Sequence, residues 1–386
     1  FTVSRTSTAT AETINYATAD NTATTADNDY TSASGTLNFA AGEADKTITV
    51  TVNGDAKVEG NETFFVNLTA PSNGAISDGQ GLGTINNDDA ATLTLSSVTA
   101  LSQNEGASGT VDYTFNVTLD KEVVGGFTVA YTTNDGTATT ADNDYQDNDG
   151  SLNFVGTVGE VHTITVKVNG DTKVELNENF MVALGTVTGT FASSVGKSGS
   201  PQTATITNDD AATVSLIANV SQSEATTPQT FTVNLSNPVD VAVTLNFATT
   251  DGTATTGDYT SVNQTVTFPA GTTTAQTVDV AISNDNIVEI DENYNVTLSA
   301  LSASGRDVTF GPKTTGTGTI TNNDNTTITL SGGIAQNEGN TGTTSYIFTV
   351  SSTNAVQGGF SVNYTTNDGT ATLADNDYTD NDGALI

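Results

Sequence analysis

The feature that most constrains the fold of this chain is an internal repeat with a period of about 115 residues. An acidic turn that ends in Asp-Tyr occurs four times, with its aspartate at Asp29, Asp144, Asp258 and Asp377. Other landmarks recur in a constant order: an opening glutamate, an Asp-x₃-Glu-x₂-Glu group and a closing Asn-Asp run. A long period with a constant order of motifs indicates tandem copies of one domain rather than a single large fold.

These landmarks divide the chain into four repeats with almost no linker between them. The first covers residues 1–89 and lacks an opening segment, the second covers 90–210, the third covers 211–324, and the fourth covers 325–386 and corresponds to the first half of a repeat. Because both ends of the sequence fall inside a repeat, we expect the array to continue. The continuation would come from the same chain or, as in a filament, from strands of a neighbouring subunit.

Apolar and polar residues alternate through most of each repeat. In the second repeat, for example, Tyr113, Phe115, Val117 and Leu119 alternate with polar residues. Strict alternation is typical of strands with one buried face and one solvated face. About seven such stretches per repeat, separated by turns rich in Gly, Asn and Asp, predict an all-β fold of tandem Ig-like antiparallel β-sandwiches in a linear array.

The composition excludes several functional classes. The chain has 44 acidic and 9 basic residues, which gives a net charge of −35. Such a charge repels nucleic acid and anionic membranes, and no apolar run is long enough to insert into a bilayer. There is no cysteine and only one histidine, His162, and no pair of a nucleophile and a base is recognisable. We therefore expect neither a nucleic-acid partner nor an enzyme.

The acidic residues that recur at fixed positions lie at strand ends and in turns. The strand ends of a sandwich gather at one pole, so these carboxylates should lie close together. Two carboxylates about 4 Å apart repel by roughly 4 kcal/mol at an effective dielectric constant of 20, so a cluster needs protons or a cation. Oxygen-only ligands in flexible loops favour Ca²⁺ over Mg²⁺. The alternative interpretation is a solvated acidic face that only keeps the protein in solution.

Taken together, the landmarks resemble the Calx-beta domain, a calcium-binding β-sandwich of sodium–calcium exchangers and many bacterial surface proteins. The resemblance covers essentially the whole chain. It implies calcium ligands at the opening Glu, at the Asp before Tyr, in the Asp-x₃-Glu-x₂-Glu group and in the closing acidic run. The implied ligands are Asp29, Asp55, Glu59, Glu62, Asp88 and Asp89 in the first repeat; Glu105, Asp144, Asp171, Glu175, Glu178, Asp209 and Asp210 in the second; Glu224, Asp258, Asp285, Glu289, Glu292 and Asp324 in the third; and Glu338 and Asp377 in the fourth.

The closing runs depart from the exchanger pattern, because asparagine replaces aspartate at Asn87, Asn208, Asn322 and Asn323. An asparagine offers a neutral carbonyl, so we expect weaker binding, in the extracellular range of about 10⁻⁴–10⁻³ M. Since the third repeat has two such asparagines, we predict that it is the weakest of the complete sites.

These observations favour a structural role. The leading interpretation is a segment of an extracellular rod, fibre or filament of a bacterial surface protein, made rigid by calcium. The alternative is an adhesin or binding module that recognises a glycan or a cell-surface protein. That module would need a concave aromatic patch, whereas the Tyr and Phe residues fall mostly in the alternating core pattern.

Overall fold

The computed structural model describes all residues 1–386, and its secondary structure is almost entirely β. The helical content is a single 3-10 turn, Ala192–Ser194, so no helix is long and apolar enough to cross a membrane. The chain divides into two compact units. One comprises residues 1–171 and 177–208, and the other comprises residues 172–176 and 209–386.

In the first unit, the first repeat forms a four-stranded sheet in the order β4-β2-β7-β8 and two short strand pairs, β1–β5 and β3–β6. Ala23, Tyr30, Ile48, Phe64 and Val66 form its buried core. The strands are β1 (Thr2–Ser4), β2 (Glu12–Asp20), β3 (Tyr30–Thr31), β4 (Ser34–Phe39), β5 (Asp45–Thr47), β6 (Thr51–Val52), β7 (Glu62–Thr69) and β8 (Gln80–Ile85).

The second repeat, also in the first unit, forms two sheets that enclose one core. The sheet orders are β10-β17-β15-β12-β13 and β14-β11-β9-β16. Tyr113, Phe115 and Val117 on β11 are completely buried, which confirms the inward face that their alternation predicts. The strands are β9 (Ala91–Ser97), β10 (Ser102–Asn104), β11 (Gly109–Leu119), β12 (Phe127–Asp135), β13 (Gly150–Phe154), β14 (Val161–Gly170), β15 (Glu178–Thr188), β16 (Val195–Ser198) and β17 (Gln202–Thr207).

In the second unit, the third repeat has the same arrangement, with sheet orders β23-β20-β18-β25 and β19-β26-β24-β21-β22. Phe231, Phe247 and Tyr294 are among its completely buried side chains. The strands are β18 (Ala212–Leu216), β19 (Val220–Ser223), β20 (Gln229–Leu235), β21 (Val243–Asp251), β22 (Asn263–Phe268), β23 (Gln276–Val280), β24 (Glu292–Ser302), β25 (Val308–Phe310) and β26 (Thr315–Thr321).

The fourth repeat forms only two strand pairs, β27–β28 and β29–β30. Its apolar residues remain open to solvent, and Ile347, for example, is 75% exposed. The strands are β27 (Ile328–Leu330), β28 (Val350–Ser352), β29 (Val362–Tyr364) and β30 (Gly383–Leu385).

The sandwich that the sequence predicts is antiparallel, and most strand pairs are, but four short pairs are parallel. The short strands β10 and β16 pair in parallel with β17 and β9, and β19 and β25 do the same with β26 and β18. The reason is that the first strand of each sandwich changes sheets. β9 pairs with β11 in one sheet, and after a short break β10 pairs with β17 in the other. Such a strand closes a corner of the sandwich and brings the opening glutamate to the end of the second sheet.

Candidate metal sites

The Asp-Tyr turn has a specific conformation that orients its aspartate. The N–H of Asp29 donates to the Thr24 carbonyl, and the N–H of Thr24 donates back to Asp29 Oδ2 at 2.6 Å. Asn28, just before the aspartate, has a left-handed φ of 66°, which asparagine tolerates better than most residues. Asp144 and Asp377 are held in the same way, at 2.7 and 2.9 Å. One carboxylate oxygen is therefore fixed by the backbone in each of these turns.

The tyrosine after the aspartate joins the turn to the strand that carries the glutamates. The Tyr30 ring stacks on Phe64 with a centroid distance of 4.6 Å, and Phe64 lies two residues after Glu62 on β7. The Tyr30 hydroxyl donates to Asp20 Oδ1 at 2.6 Å. Because this ring is buried, the turn cannot move away from β7 without opening the core, so Asp29 stays beside the glutamates.

In the first repeat, Asp29, Glu59 and Glu62 come together, each with a carboxylate oxygen within 4.8 Å of the other two. Burial, followed by the negative charge of Asp29, raises the pKa of Glu62 to about 7. Lys57 forms an ion pair with Glu59 at 2.9 Å and partly offsets the negative charge. The three residues therefore form a compact group of oxygens that binds a proton when no cation is present.

The third repeat brings together two such groups, and residues of both line one small pocket. Burial is the main cause that raises the pKa of Glu289, and the charge of Glu292 adds to it. Burial likewise raises the pKa of Glu292. The groups are Asp258, Glu289 and Glu292, and Glu224, Asp285 and Asp324.

One oxygen in the third repeat favours a bound cation. Asp324 Oδ2 is buried and has no hydrogen-bond partner. A buried carboxylate oxygen without a partner is costly, because it has lost water and gained nothing in exchange. A cation held together with Glu224 and Asp285 would satisfy it. The donor set consists of oxygens alone in loops, so these residues fit calcium.

The asparagines of the closing run serve the backbone. Asn322 Oδ1 accepts a hydrogen bond from the N–H of Glu289 at 3.0 Å, and Asn322 Nδ2 donates to the Asp324 carbonyl at 3.0 Å. The side-chain carbonyl that the sequence offered as a neutral ligand is thus engaged in holding the loop of Glu289. Asn322 positions two acidic residues.

In the second repeat, the structure buries Glu105 and Asp144. Glu178 begins β15 and is half-buried, and Asp171 and Asp209 are exposed. The half-buried Glu175 and Asp210 complete the predicted ligands of this repeat. The structure brings six of these seven residues together in two groups, Asp144 with Glu175 and Glu178, and Glu105 with Asp209 and Asp210. Their role as calcium ligands stays a prediction.

Six predicted ligands do not join any of these acidic groups. Asp55 Oδ1 accepts the N–H of Lys57 at 2.9 Å, and Asp89 lies 3.5 Å from the ammonium of Lys121. Neither residue is part of the group of Asp29, Glu59 and Glu62. The others are exposed: Asp88, Asp171, Glu338 and Asp377.

Two asparagines that the sequence analysis did not select as site residues hold the Asp-Tyr turns. Asn53 Nδ2 donates to the Asn28 carbonyl at 2.9 Å, and Asn169 Nδ2 donates to the Asn143 carbonyl at 2.7 Å. Each asparagine therefore fixes the left-handed residue just before the turn aspartate. The available signal was the repeated Asn-Gly-Asp at 53–55 and 169–171.

The third repeat lacks this support. Its Ser283 takes the same backbone place as Asn53, because its N–H donates to the Asp258 carbonyl at 2.9 Å, as the N–H of Asn53 does to Asp29 at 3.0 Å. A serine side chain is too short to repeat the asparagine bond. The Asp-Tyr turn of this repeat is also shorter, Thr255-Thr256-Gly257-Asp258. Asp258 is accordingly more exposed than Asp29.

Comparisons with known proteins identify the family. The model of the Calx-beta domain matches residues 1–96, 86–212, 208–326 and 321–386. A search of curated proteins finds no match. Similar solved structures include CBD12 from CALX1.2, at 16% identity over 57% of this chain and 96% of that chain, with a TM-score of 0.27. The apo form of the Calx CBD1 domain matches at 20% identity over 30% of this chain and 100% of that chain, with a TM-score of 0.28.

A third similar structure, described as giving insight into host cell surface retention of a 1.5-MDa bacterial ice-binding adhesin, matches at 17% identity over 82% of this chain and 92% of that chain, with a TM-score of 0.23. The four family matches together span residues 1–386. They follow the same order as the four Asp-Tyr turns and their acidic groups. The chain belongs to the Calx-beta domain family.

Proposed function

We propose that this chain is a segment of an extracellular bacterial surface protein in which calcium stiffens an array of tandem Calx-beta domains. Calx-beta domains are calcium-binding modules with regulatory or structural rather than catalytic roles. The observation that carries the proposal for this chain is the pair of carboxylate groups in the third repeat, together with the unpartnered buried Oδ2 of Asp324.

The third repeat would hold calcium through both of its groups, and the first repeat would hold it through Asp29, Glu59 and Glu62. A bound cation supplies positive charge, which removes the repulsion between neighbouring carboxylates and ties their loops together. The role of the chain's own residues is to fix those oxygens in advance. The backbone bonds to Asp29 and the stacked Tyr30 do this in the first repeat.

An extracellular location suits this chemistry. Sites on surface loops with affinities near 10⁻⁴–10⁻³ M, as we expect from the sequence, would fill in a millimolar-calcium environment and remain empty in the cytosol. The net charge of −35 would also keep a long array from associating through nonspecific contacts. Stiffening, rather than sensing, is therefore the role that we assign to the ion.

The array would continue beyond the fourth repeat or pair with another copy. Tyr346 and Phe348, which correspond to the buried Tyr113 and Phe115 of the second repeat, are 45% and 53% exposed in the fourth repeat. In the second repeat, the corresponding strand β11 buries its apolar face against a complete sandwich. Sedimentation of the chain at increasing concentration would test self-association, and a monomer at all concentrations would exclude it.

The test of the calcium role uses the full chain in chelator and in calcium at up to about 10 mM, roughly ten times the weaker expected Kd. We expect calcium to raise the melting temperature and to make the solution scattering profile that of a stiffer particle. The double variant Asp258→Asn with Asp285→Asn should lose the calcium gain in the third repeat only. Asp307→Asn, an exposed acidic residue outside both groups, is the matched control. Identical melting and scattering in the two buffers would overturn the proposal.

A further inference from the structure

A valine in the acidic loop of one repeat pairs with the repeat that follows it. In the first unit, Val58 forms an isolated parallel β-bridge with Val123 of the second repeat. The N–H of Val58 donates to the Glu122 carbonyl at 2.9 Å, and the N–H of Val124 donates to the Val58 carbonyl at 2.9 Å. Both hydrogen-bonding groups of Val58 are thus used by the following repeat.

The same bridge occurs twice within the second unit. Val174 pairs with Val239, and its N–H donates to the Pro238 carbonyl at 2.9 Å. Val288 pairs with Val356, and its N–H donates to the Ala355 carbonyl at 2.9 Å. Because the same bridge geometry occurs at three equivalent positions, it is a regular junction between repeats rather than a chance contact.

Two of these valines are core residues of the repeat that receives them. Val58 and Val174 are completely buried. Val58 packs in the hydrophobic core of the second repeat, with residues such as Leu93 and Val123, and not in the core of the first. Val174 packs in the core of the third repeat with Val239. Each contribution therefore removes apolar surface of the receiving repeat from water.

The bridging valine stands immediately before an acidic residue of the candidate calcium groups. Val58 precedes Glu59, and Val288 precedes Glu289. At the bridge formed by Val288, Gln357 of the fourth repeat contacts both the bridging valine and the acidic group. Its N–H donates to the Val288 carbonyl at 2.9 Å, and its side-chain Nε2 donates to Glu292 Oε1 at 3.1 Å. The bridge and the acidic group are thus parts of one loop.

We propose that the first and second repeats each complete the hydrophobic core of the next repeat through this valine, Val58 or Val174, so that stability passes along the array from the N-terminal to the C-terminal side. The interaction surface is the strand edge around Val123, Val239 or Val356, and its partner is the acidic loop of the preceding repeat. Only the idea that calcium strengthens this contact, by fixing the loop, rests on the proposed function. The valine contact itself needs no metal.

The test compares two valines that lie eight residues apart in the first repeat. Hydrogen exchange of the full chain is followed by mass spectrometry in chelator. Val58→Ala should speed exchange in β11 and β12 of the second repeat by roughly tenfold or more, because it empties a closed core position. The first-repeat strand β7 should be unaffected. Val66→Ala, a substitution in the first repeat's own core, should do the reverse.

Faster exchange confined to the first repeat in Val58→Ala, or an equal change in both repeats, would overturn the proposal. If Val58→Ala does not fold, Val58→Thr keeps the branched shape and replaces one methyl group with a buried hydroxyl, and the same pattern is expected. Repeating the experiment in calcium separates the two proposals. A valine effect that is present in chelator and identical in calcium supports the junction while counting against the idea that calcium strengthens this contact.

Discussion

The first and third repeats build the same acidic group in different ways. Asp29 of the first repeat is buried, its turn is held by Asn53, and Lys57 pairs with the neighbouring Glu59. In the third repeat, Asp258 is half-exposed and Ser283 replaces the asparagine. The residue that corresponds to Lys57 is Ile287, so no basic side chain adjoins the glutamates there.

This difference teaches that motif spacing alone does not determine how a site is stabilised. The first repeat offsets part of its negative charge with its own lysine and orders its turn with its own amide. The third repeat concentrates two groups in one pocket and leaves their charge uncompensated. A cation should therefore increase the stability of the third repeat more than that of the first, because the first repeat already offsets part of its negative charge with Lys57.

The largest expected effect is a difference in calcium-dependent stability between the two repeats. One site filled at 100 times its Kd adds about 2.7 kcal/mol, so two sites in the third repeat should add about twice that amount. Hydrogen exchange in β24 and β7, measured in chelator and in calcium, reports the two repeats separately. Equal protection gains in both strands would show that calcium stabilises the first and third repeats equally, contrary to this prediction.

Removing the unpartnered carboxylate oxygen should have the next largest effect. Asp324→Asn should abolish one of the two calcium increments in the third repeat, about 2.7 kcal/mol at 100 times Kd. In chelator the same variant should be as stable as the parent or more stable, because a negative charge is removed from the group of Glu224, Asp285 and Asp324. Calorimetric titration and melting measure both effects. A full calcium response in this variant would exclude Asp324 as a ligand.

Exchanging the asparagine support should have a smaller effect. Asn53→Ser removes two side-chain hydrogen bonds to Asn28 and should cost the first repeat about 1 kcal/mol in chelator. Ser283→Asn is the reciprocal variant. It should gain little, because the shorter turn before Asp258 has no left-handed asparagine to hold. Chemical denaturation followed by hydrogen exchange, resolved by repeat, would measure the stability of both variants. A stability gain in Ser283→Asn equal to the loss in Asn53→Ser would contradict this account.

The smallest expected effect is a pH dependence of the first repeat. The pKa of Glu62 is raised from 4.5 to about 7, so the folded state binds this proton more tightly than the unfolded state does. In chelator, the stability of the first repeat should therefore fall as pH rises from about 4.5 to about 7. Solvent around the half-buried Glu62 keeps the change modest.

Glu62→Gln should flatten this pH profile, whereas Glu12→Gln, at the other end of the repeat's sheet, should leave it intact. The measurement is the melting temperature across the pH range, together with hydrogen exchange in β7, which reports the stability of the first repeat. A profile that rises with pH in the parent would mean that Glu62 is not protonated in the folded state.

Much of the fold could be predicted because it follows local periodicity. The alternation of Tyr113, Phe115 and Val117 specifies one buried face, and the structure buries all three. The parallel pairs could not be predicted, because β10 has only three residues and its partner β17 lies about 100 residues away. A strand so short has no periodicity to detect.

The candidate site, like the fold, was only partly predictable from the sequence. The group of Asp29, Glu59 and Glu62 could be found from recurring acidic residues. The support from Asn53 was harder to see, since a neutral side chain that bonds to backbone looks like any other turn residue. Val58 could not be assigned, because an alternating valine reads as part of its own repeat. Its partner is specified only when two repeats are present together.

The tyrosine of the acidic turn has an optical consequence. Tyr30 and Tyr259 directly follow Asp29 and Asp258, and each buried ring stacks on an aromatic residue. Burial raises the pKa of Tyr259 to about 12, so its phenol stays neutral in ordinary buffers. Because the chain contains no tryptophan, its near-ultraviolet circular dichroism and emission come from tyrosine and phenylalanine alone. Each acidic turn therefore has a built-in chromophore one residue from its aspartate, and rearrangement of the turn can be followed without any label.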